Sequence, residues 1–382
     1  MKLLVFAQVP PPPLGQSFGV QRMLAGWGGD FRKKQRRLEP SHPSGIDCYH
    51  VNARLSRDLH DLGTFRAGKF FLLLGFCLQA IWCRFRYGVG TFYYIPAPGK
   101  RATLYRDWMV LLICRPFFPK IIFHWHAAGL AEWLQTAATP RMRRFTYRLM
   151  KNADLSIVQS AFNRRDAEAF SARRIAVIPT GLPDPCPDFD QTLLARRRAR
   201  ARALRECLAG GSTAPGDADG VVRVLFLSHC MREKGLFDAV EGVALANEKL
   251  SASQSRLRFQ LRLIGPFLSP AEEAELHELI HHRRLEQTVE FLGFVSEARK
   301  AQAFREADLF CFPTYYHAES FGAVVVEAMA FGLPTVATRW RSIPEILPPD
   351  YPGLVDPKSP SQIAEALQRL AGLAEAILRV EE

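Results

Sequence analysis

The sequence predicts an α/β protein built from two doubly wound domains that face each other across a cleft. Three observations lead to this prediction. Short apolar runs alternate with helical stretches, several runs lack the polar alternation of a half-exposed strand, and 382 residues exceed what one core usually fills. Strands buried on both faces and joined by helices form parallel sheets. A cleft between two such domains is a common binding site for a small molecule.

Apolar runs of strand length occur in both halves of the chain. Those predicted as strands are residues 3–7, 92–95, 121–124, 155–158, 175–178, 222–227, 260–264, 289–291, 309–312 and 335–337. The N-terminal domain is predicted over residues 1–185 and the C-terminal domain over 221–382. Residues 186–220 are the predicted linker region, because clusters of Pro at 183–187 and of Gly at 210–220 punctuate the chain there.

Neither the apolar stretches nor the cysteines predict export or membrane insertion. The first apolar run is too short for a signal peptide and is predicted as the first strand. The longest apolar stretch, residues 70–82, is interrupted by Gly75 and Gln79 and is shorter than the ~20 residues of a spanning helix, so we predict no transmembrane segment. Eight cysteines without a C-x-x-C pair favour neither a zinc cluster nor a disulfide framework. We therefore expect a cytoplasmic protein.

The net charge of +12 is unevenly distributed, with +16 in residues 1–185 and −4 in residues 186–382. A basic half attracts anionic partners, so we expect peripheral attachment to an anionic membrane surface on its inner face. Lys69, Arg84 and Arg86 flank the apolar stretch. Solubility alone is an equally open explanation of the charge. We expect no nucleic-acid partner, because the basic cluster at residues 32–37 has no nucleic-acid-binding signature beside it.

Residues 308–334 predict a strand, a loop and a helix that starts near Gly322 and ends at Gly332. The small residues at this start would let a diphosphate approach backbone N–H groups. Glu319 lies just before the helix and Glu327 lies about two turns into it. Such carboxylates can accept hydrogen bonds from hydroxyl pairs, one on a sugar and one on a ribose. On the residues alone, a helix cap and a solvated helix residue are equally open interpretations.

Six segments in register resemble those of the retaining GT-B glycosyltransferases of family four, the glycosyl transferases group 1. Residues 308–334 are similar to the family's Glu-x7-Glu signature. The other similar segments are 154–160 (DLSIVQS), 177–182 (VIPTGL), 226–235 (FLSHCMREKG), 343–346 (IPEI) and 353–357 (GLVDP). The resemblance implies a GT-B fold of two Rossmann-like domains, in which the N-terminal domain binds the acceptor and the C-terminal domain binds the nucleotide sugar.

The resemblance also implies roles for individual residues of the C-terminal half. Glu319 would contact the hydroxyls of the donor sugar, Glu327 the ribose, and Lys234 the diphosphate as a point charge. His229 stands where the family usually has a phosphate-binding arginine. Arg232 either supplies this second cation or is an ordinary surface arginine, and the two alternatives are equally open.

Further donor contacts are implied around these residues and near the N-terminus. The backbone of residues 291–295 should hold the base, and residues 9–19 resemble the loop after the family's first strand, where a glycine pair is usual. An ordinary surface loop is the alternative for residues 9–19. The expected donor-binding residues are Ser320, Phe321, Gly322, Phe294, Gly15 and Gln16.

His126 aligns with the family's sugar-contacting histidine and joins Glu319 and Lys234 in the expected catalytic set. His124 and His126 are separated by one residue, so we expect them on opposite faces of a strand, with His124 in the packing and a metal pair disfavoured. Two Asp-x-Asp tripeptides, at residues 188–190 and 217–219, fall in the predicted linker region. No strand end would hold a metal there, so we expect no metal site.

The resemblance implies a retaining hexosyltransferase that moves a sugar from a UDP- or GDP-sugar to a glycan or lipid-linked acceptor, in bacterial-type surface polysaccharide or glycolipid synthesis. No cofactor is expected. His229, Thr180 and Gln16 depart from the family pattern, which leaves open a non-catalytic nucleotide-sugar-binding or scaffold protein on a decayed transferase fold. A GT-B phosphorylase is a third alternative. The closing helix of family members is expected to be short or missing after the predicted helix at 361–370.

Overall fold

The computed structural model of the chain describes residues 1–11, 15–33, 44–55, 67–208 and 220–377. The chain divides into two compact units, residues 1–181 and 182–382. The division lies four residues before the predicted domain boundary at 185. Part of the basic cluster at 32–37 and the whole tripeptide at 217–219 lie outside the described residues.

The first unit is a six-stranded parallel sheet with the strand order β2-β1-β3-β4-β5-β6. Its strands are β1 (Lys2–Ala7), β2 (Asp47–Asn52), β3 (Thr91–Tyr94), β4 (Lys120–Trp125), β5 (Leu155–Val158) and β6 (Ile175–Val177). Its helices are α1 (Gly15–Gly26), α2 (Ala67–Tyr87), α3 (Arg101–Cys114), α4 (Leu130–Thr136), α5 (Pro140–Met150) and α6 (Arg164–Ala169). Single 3₁₀ turns lie at Phe31–Lys33 and Arg115–Phe117.

Helices cover both faces of this sheet, as the apolar, non-alternating strands predict. Helix α1 packs on one face, where Val5 and Tyr93 are buried with Val20. Helices α2 and α3 pack on the other face against strand residues such as Phe92 and Phe123. The first unit is therefore doubly wound, as predicted from the sequence.

Helix α2 differs from the sequence prediction, which measured its apolar stretch as residues 70–82. The helix continues through Gly75 and Gln79, and the segment Gly68–Tyr87 is long and apolar enough to cross a membrane by length and composition. Glycine and glutamine interrupt an apolar run without ending a helix. Only 22% of the apolar window is buried inside the protein.

The second unit repeats the architecture with the strand order β12-β11-β10-β7-β8-β9, again entirely parallel. Its strands are β7 (Val221–Leu227), β8 (Arg258–Ile264), β9 (Val289–Gly293), β10 (Leu309–Phe312), β11 (Thr335–Thr338) and β12 (Leu354–Val355). Its helices are α7 (Leu194–Leu208), α8 (Leu236–Ala252), α9 (Pro270–His282), α10 (Glu297–Glu306), α11 (Ala323–Ala330) and α12 (Pro360–Ile377). Single 3₁₀ turns lie at Arg232–Lys234 and Ile343–Glu345.

The described part of the predicted linker region is ordered structure within the second unit. A π-helical turn (Phe189–Leu193) leads into α7, which packs on α12. Arg197 is buried and donates to the carbonyl oxygens of Phe331, at 3.0 Å, and Phe304, at 2.7 Å. Arg197, in the basic run at residues 196–202, is therefore part of the packing of the second unit and not of a solvated helix face.

Asp188, from the first Asp-x-Asp tripeptide, is engaged by neighbouring side chains. It forms an ion pair with Arg305 and accepts a 2.7 Å hydrogen bond from Thr192 Oγ1. The bond from Arg305, followed by that from Thr192, lowers the pKa of this carboxyl to about 2.

Candidate functional site

The loop between β10 and α11 is shaped by a glycine that no other residue replaces without strain. Gly322 has φ 72° and ψ 45°, in the left-handed region, and caps the start of α11. A Cβ at this position would lie 2.4 Å from Cδ1 of Ile343. The loop is also held by Ser342, whose Oγ donates to the carbonyl oxygen of Ser320 at 2.8 Å. Helix α11 thus begins where the Glu-x7-Glu segment predicts.

Glu319 and Lys234 form the central ion pair of this loop. Lys234 Nζ lies 2.7 Å from Glu319 Oε2, and the two side chains are only 15% and 10% exposed. The hydroxyl of Thr314 lies 3.4 Å from the same carboxylate oxygen. The ammonium group also lies 4.6 Å from the ring centre of Tyr316, a favourable cation–π distance. Two residues predicted to bind adjacent parts of a donor, the sugar and the diphosphate, are therefore in direct contact.

Backbone contacts join the loop of Lys234 to the loop of Glu319. The N–H of Tyr315 donates to the carbonyl oxygen of Glu233 at 2.8 Å. Gly235 has φ 79°, and a Cβ there would lie 2.1 Å from the carbonyl oxygen of Pro313. Only glycine permits this approach of two backbones. The ion pair therefore lies between two loops whose main chains touch.

Glu327 lies in α11 and pairs with Lys300 of α10, with 3.2 Å between Nζ and Oε1. Burial alone would lower the pKa of Lys300, but the charge of Glu327 and the bonds to Glu297 and Glu327 outweigh it and raise that pKa. The sequence did not identify Lys300 as a site residue, because it is one of several basic residues on an amphipathic helix. Both carboxylates of the Glu-x7-Glu segment thus hold a lysine.

The two candidates for the second cation have different surroundings. The guanidinium of Arg232 pairs with Glu275 of α9 and lies 3.8 Å from the ring centre of Phe237. These partners turn it toward α9. His229 instead lies close enough to Lys234 that its pKa is lowered, first by burial and then by the lysine charge. Which of the two residues contacts a diphosphate stays a prediction.

The remaining predicted donor-binding residues of this unit differ in accessibility. Ser320 and Phe321 are buried, at 8% exposure each, so a donor would contact their backbone more readily than their side chains. Phe294 follows β9 and is 71% exposed. Its place after the strand end agrees with the predicted position of the base, and its contact with a nucleotide stays a prediction.

The histidines of the first unit lie together, which corrects the sequence prediction. The rings of His124 and His126 are 4.2 Å apart between centres, and His126 Nε2 lies 3.3 Å from His124 Nδ1. Residues two apart along a strand point to the same face, so the expectation that His124 and His126 lie on opposite faces was wrong. Tyr93 bonds His124, and Gln159 lies 3.4 Å from His126 Nδ1.

Both imidazoles are held neutral by their surroundings. Burial lowers the pKa of His126 to about 4. Burial, and next the neighbouring His126, lower the pKa of His124 well below its usual range. Neutral imidazoles can donate and accept hydrogen bonds, which suits sugar hydroxyls.

Gly15 and Gln16 form the first turn of α1, not a loop, and a Cβ on Gly15 would meet no atom within 4 Å. Gly19, one turn further, lies close enough to His126 that a Cβ would be 3.3 Å from its Cε1. The start of α1 and the histidine pair therefore border one region of the first unit. Within the described ranges, no three His, Cys, Asp or Glu side chains group as metal ligands.

Comparison with known proteins finds sequence similarity to a family model within the second unit. A family model described as glycosyl transferases group 1 matches residues 215–376. The putative colanic acid biosynthesis glycosyltransferase WcaL of Escherichia coli is 28% identical over 158 residues, 40% of this chain and 36% of WcaL. A phosphatidyl-myo-inositol mannosyltransferase of Mycobacterium leprae is 41% identical over 112 residues, 29% of this chain and 28% of that protein. These matches span about a third of the relatives' length.

Solved structures are similar over nearly the whole chain. A sucrose-phosphate synthase from Thermosynechococcus elongatus superposes with a TM-score of 0.64 at 21% identity, covering 99% of this chain and 92% of that one. Anabaena HepE in complex with UDP and glucose superposes with a TM-score of 0.59 at 18% identity, covering 99% and 94%. At such identities the likeness shows the fold.

Proposed function

We propose that the protein is a retaining glycosyltransferase, because residues 215–376 match the model of the glycosyl transferases group 1 and the chain has the GT-B fold. It would move a sugar from a nucleotide-diphosphate sugar to a saccharide or lipid-linked acceptor. WcaL is named for colanic acid biosynthesis, and the mycobacterial relative is named a phosphatidyl-myo-inositol mannosyltransferase. Surface polysaccharide or glycolipid synthesis at the cytoplasmic face of the membrane is the proposed setting.

The observation that carries the proposal is the Lys234–Glu319 pair beside the start of α11. A diphosphate would compete with Glu319 for the ammonium group of Lys234, and sugar hydroxyls would compete with Lys234 for the carboxylate. Each partner of the pair thus matches one part of a nucleotide sugar. Glu327, paired with Lys300, would accept hydrogen bonds from the ribose hydroxyls in the same way.

The chemistry would rest on charge stabilisation. In a retaining transfer without a protein nucleophile, the acceptor oxygen attacks the anomeric carbon on the face from which the diphosphate leaves. The bond to the diphosphate oxygen breaks, and a donor phosphate oxygen takes the acceptor proton. Lys234 and the N–H groups at the start of α11 would stabilise the leaving diphosphate as the sugar gains oxocarbenium character. Neutral His126 would hold a sugar hydroxyl.

A ligand screen followed by a turnover assay tests the proposal. We expect one class of UDP- or GDP-sugar to raise the unfolding temperature. That donor should then be consumed with a saccharide or lipid-linked acceptor, and the product should keep the donor's anomeric configuration by NMR. Binding without turnover across a broad acceptor panel would indicate the non-catalytic alternative. Inverted product would refute the retaining mechanism.

A further inference from the structure

Four of the large apolar side chains that α2 exposes lie in one row. Their exposed fractions are 69% for Phe71, 56% for Leu78, 52% for Trp82 and 69% for Phe85. The spacings of seven, four and three residues place them on one face of a helix, along about 21 Å of its axis. We call these four residues the apolar stripe. Removing this much apolar surface from water is favourable, so a stripe of this size indicates that a partner covers it.

The opposite face of α2 belongs to the core of the first unit. Leu73, Cys77, Ala80 and Cys83 are each at most 5% exposed and pack with the sheet. A helix anchored this way along its length does not leave the domain to cross a bilayer. It can instead lie in the membrane interface with its outer face inserted. The apolar residues that make α2 resemble a spanning helix thus lie partly in the core and partly in the exposed apolar stripe.

Helices α3 and α5 extend this surface with positive charge. They cover the same face of the sheet as α2, with α3 packed against both neighbours and Trp108 Nε1 donating to Thr146 Oγ1 at 2.9 Å. Helix α5 exposes Arg141, Arg144 and Arg148, spaced three and four residues apart on one face. We call these three the basic stripe.

The charge of the three helices is almost entirely of one sign. They contain nine Lys and Arg residues and a single acidic residue, Asp107. Asp107 is fully buried, where Tyr94, Arg106 and the N–H of Ala97 bond its carboxylate. Within α2, α3 and α5, no acidic side chain therefore opposes an anionic partner at the surface. An apolar stripe and a basic stripe on helices that cover one face of the sheet are together complementary to a bilayer with anionic headgroups.

We infer that the outer faces of α2, α3 and α5 are a membrane-docking surface, which inserts the apolar stripe below anionic phospholipid headgroups while the basic stripe contacts them. The inference goes beyond the proposed sugar transfer and does not depend on it. It also specifies which part of the basic N-terminal half meets the membrane.

Vesicle flotation with the full chain tests the surface. We expect binding to vesicles of phosphatidylglycerol and phosphatidylcholine, weakened by salt, and much weaker binding to phosphatidylcholine alone. The double variant Phe71→Ser/Phe85→Ser should bind anionic vesicles at least tenfold more weakly, and Arg141→Gln/Arg144→Gln/Arg148→Gln should lose the preference for anionic lipid. Ile178→Ser is the matched control, since Ile178 is 51% exposed elsewhere in the first unit. It should bind like the wild type.

Trp82 supplies an independent readout of depth. Lipids brominated in the acyl chain should quench its fluorescence in the wild type and quench much less in Trp82→Phe. Circular dichroism checks that each variant is folded. Equal binding by the wild type and the stripe variants, or no binding at all, would overturn the inference. So would lipid-independent dimerisation that Phe71→Ser/Phe85→Ser abolishes, since a second copy of the chain would then cover the stripe.

Discussion

Each unit places polar side chains after the carboxyl ends of strands in its own parallel sheet. These side chains are charged in the second unit and neutral in the first. In the second unit, Lys234 and Glu319 are charged partners at a distance of 2.7 Å. In the first unit, burial lowers the pKa of His124 and His126, so the cluster is neutral. The same architecture thus gives one edge suited to an anion and one suited to hydroxyl groups. The difference comes from the residues that follow the strands and not from the sheets themselves.

The largest effect is expected when a carboxylate of the candidate site in the second unit is removed. We predict that Glu319→Ala and Glu327→Ala each lower kcat/KM by about 10- to 150-fold, because each loses hydrogen bonds to the donor worth ~1.5–3 kcal/mol. Steady-state kinetics with the donor found in the screen measures this. Glu278→Ala is the control, since Glu278 is an exposed carboxylate on α9. Wild-type kinetics in either variant would remove the basis of the proposed site.

The second prediction concerns the neutral cluster of the first unit. The unfolded chain protonates His126 below its ordinary pKa near 6.5, whereas the folded protein protonates it only near 4. The unfolded state therefore binds more protons between these values, and the free energy of unfolding falls as the pH drops through this window. The loss from this residue should total roughly 3 kcal/mol.

Urea unfolding at pH 7.5 and pH 4.5 measures the change. His126→Gln should reduce the difference between the two pH values, whereas His277→Gln, at an exposed position on α9, should leave it as in the wild type. An identical pH dependence in His126→Gln and the wild type would show that the histidine is not held neutral in the folded protein.

A smaller effect is expected from the glycine that starts α11. Gly322→Ala puts a non-glycine residue at φ 72° and a Cβ near Ile343, which should cost about 1–2 kcal/mol. We expect the melting temperature to fall by roughly 2–8 °C. Gly75→Ala is the matched control, because Gly75 lies inside α2 with no atom within 4 Å of a Cβ. It should leave the melting temperature unchanged or raise it. Equal melting temperatures for Gly322→Ala and the wild type would contradict the strain.

The smallest expected effect is that of removing divalent metal. Lys234 and the N–H groups at the start of α11 already supply positive charge to a leaving diphosphate, so excess EDTA should leave the rate nearly unchanged. Asp188→Ala and Asp190→Ala should behave like the wild type in the same assay. Activity that EDTA abolishes, that Mg²⁺ or Mn²⁺ restores and that either variant lacks would place the protein in the metal-dependent class.

The sequence predicts much of the fold because buried parallel strands are continuous apolar runs. All ten predicted strands are present. Strand β2 was missed because it is an edge strand with polar residues at Asp47, His50 and Asn52, so it lacks such a run. Strand β12 has only two residues, too few for a pattern. The doubly wound arrangement still followed from the remaining strands and the helices between them.

The sequence predicted which residues form the candidate site better than it predicted which of them contact each other. The Glu-x7-Glu segment locates Glu319 and Glu327, but sequence spacing does not show that each pairs with a lysine from a distant segment. Arg232 was ambiguous because its partner Glu275 lies on another helix. His126 was misplaced because the period of two was misapplied: residues i and i+2 of a strand share a face, which brings its ring to that of His124. Each of these partnerships depends on tertiary contacts between separate elements.

The backbone contact between the loops of Glu233 and Tyr315 bears on the entropy of binding. Loops that order only when a ligand arrives lose conformational freedom at that moment, and the loss reduces the affinity that their contacts provide. Here folding has already fixed the main chains on both sides of Lys234 and Glu319. A donor bound between them would exchange partners with two side chains without ordering either loop. Substitutions that release these main chains would therefore weaken binding even where they touch no atom of the ligand.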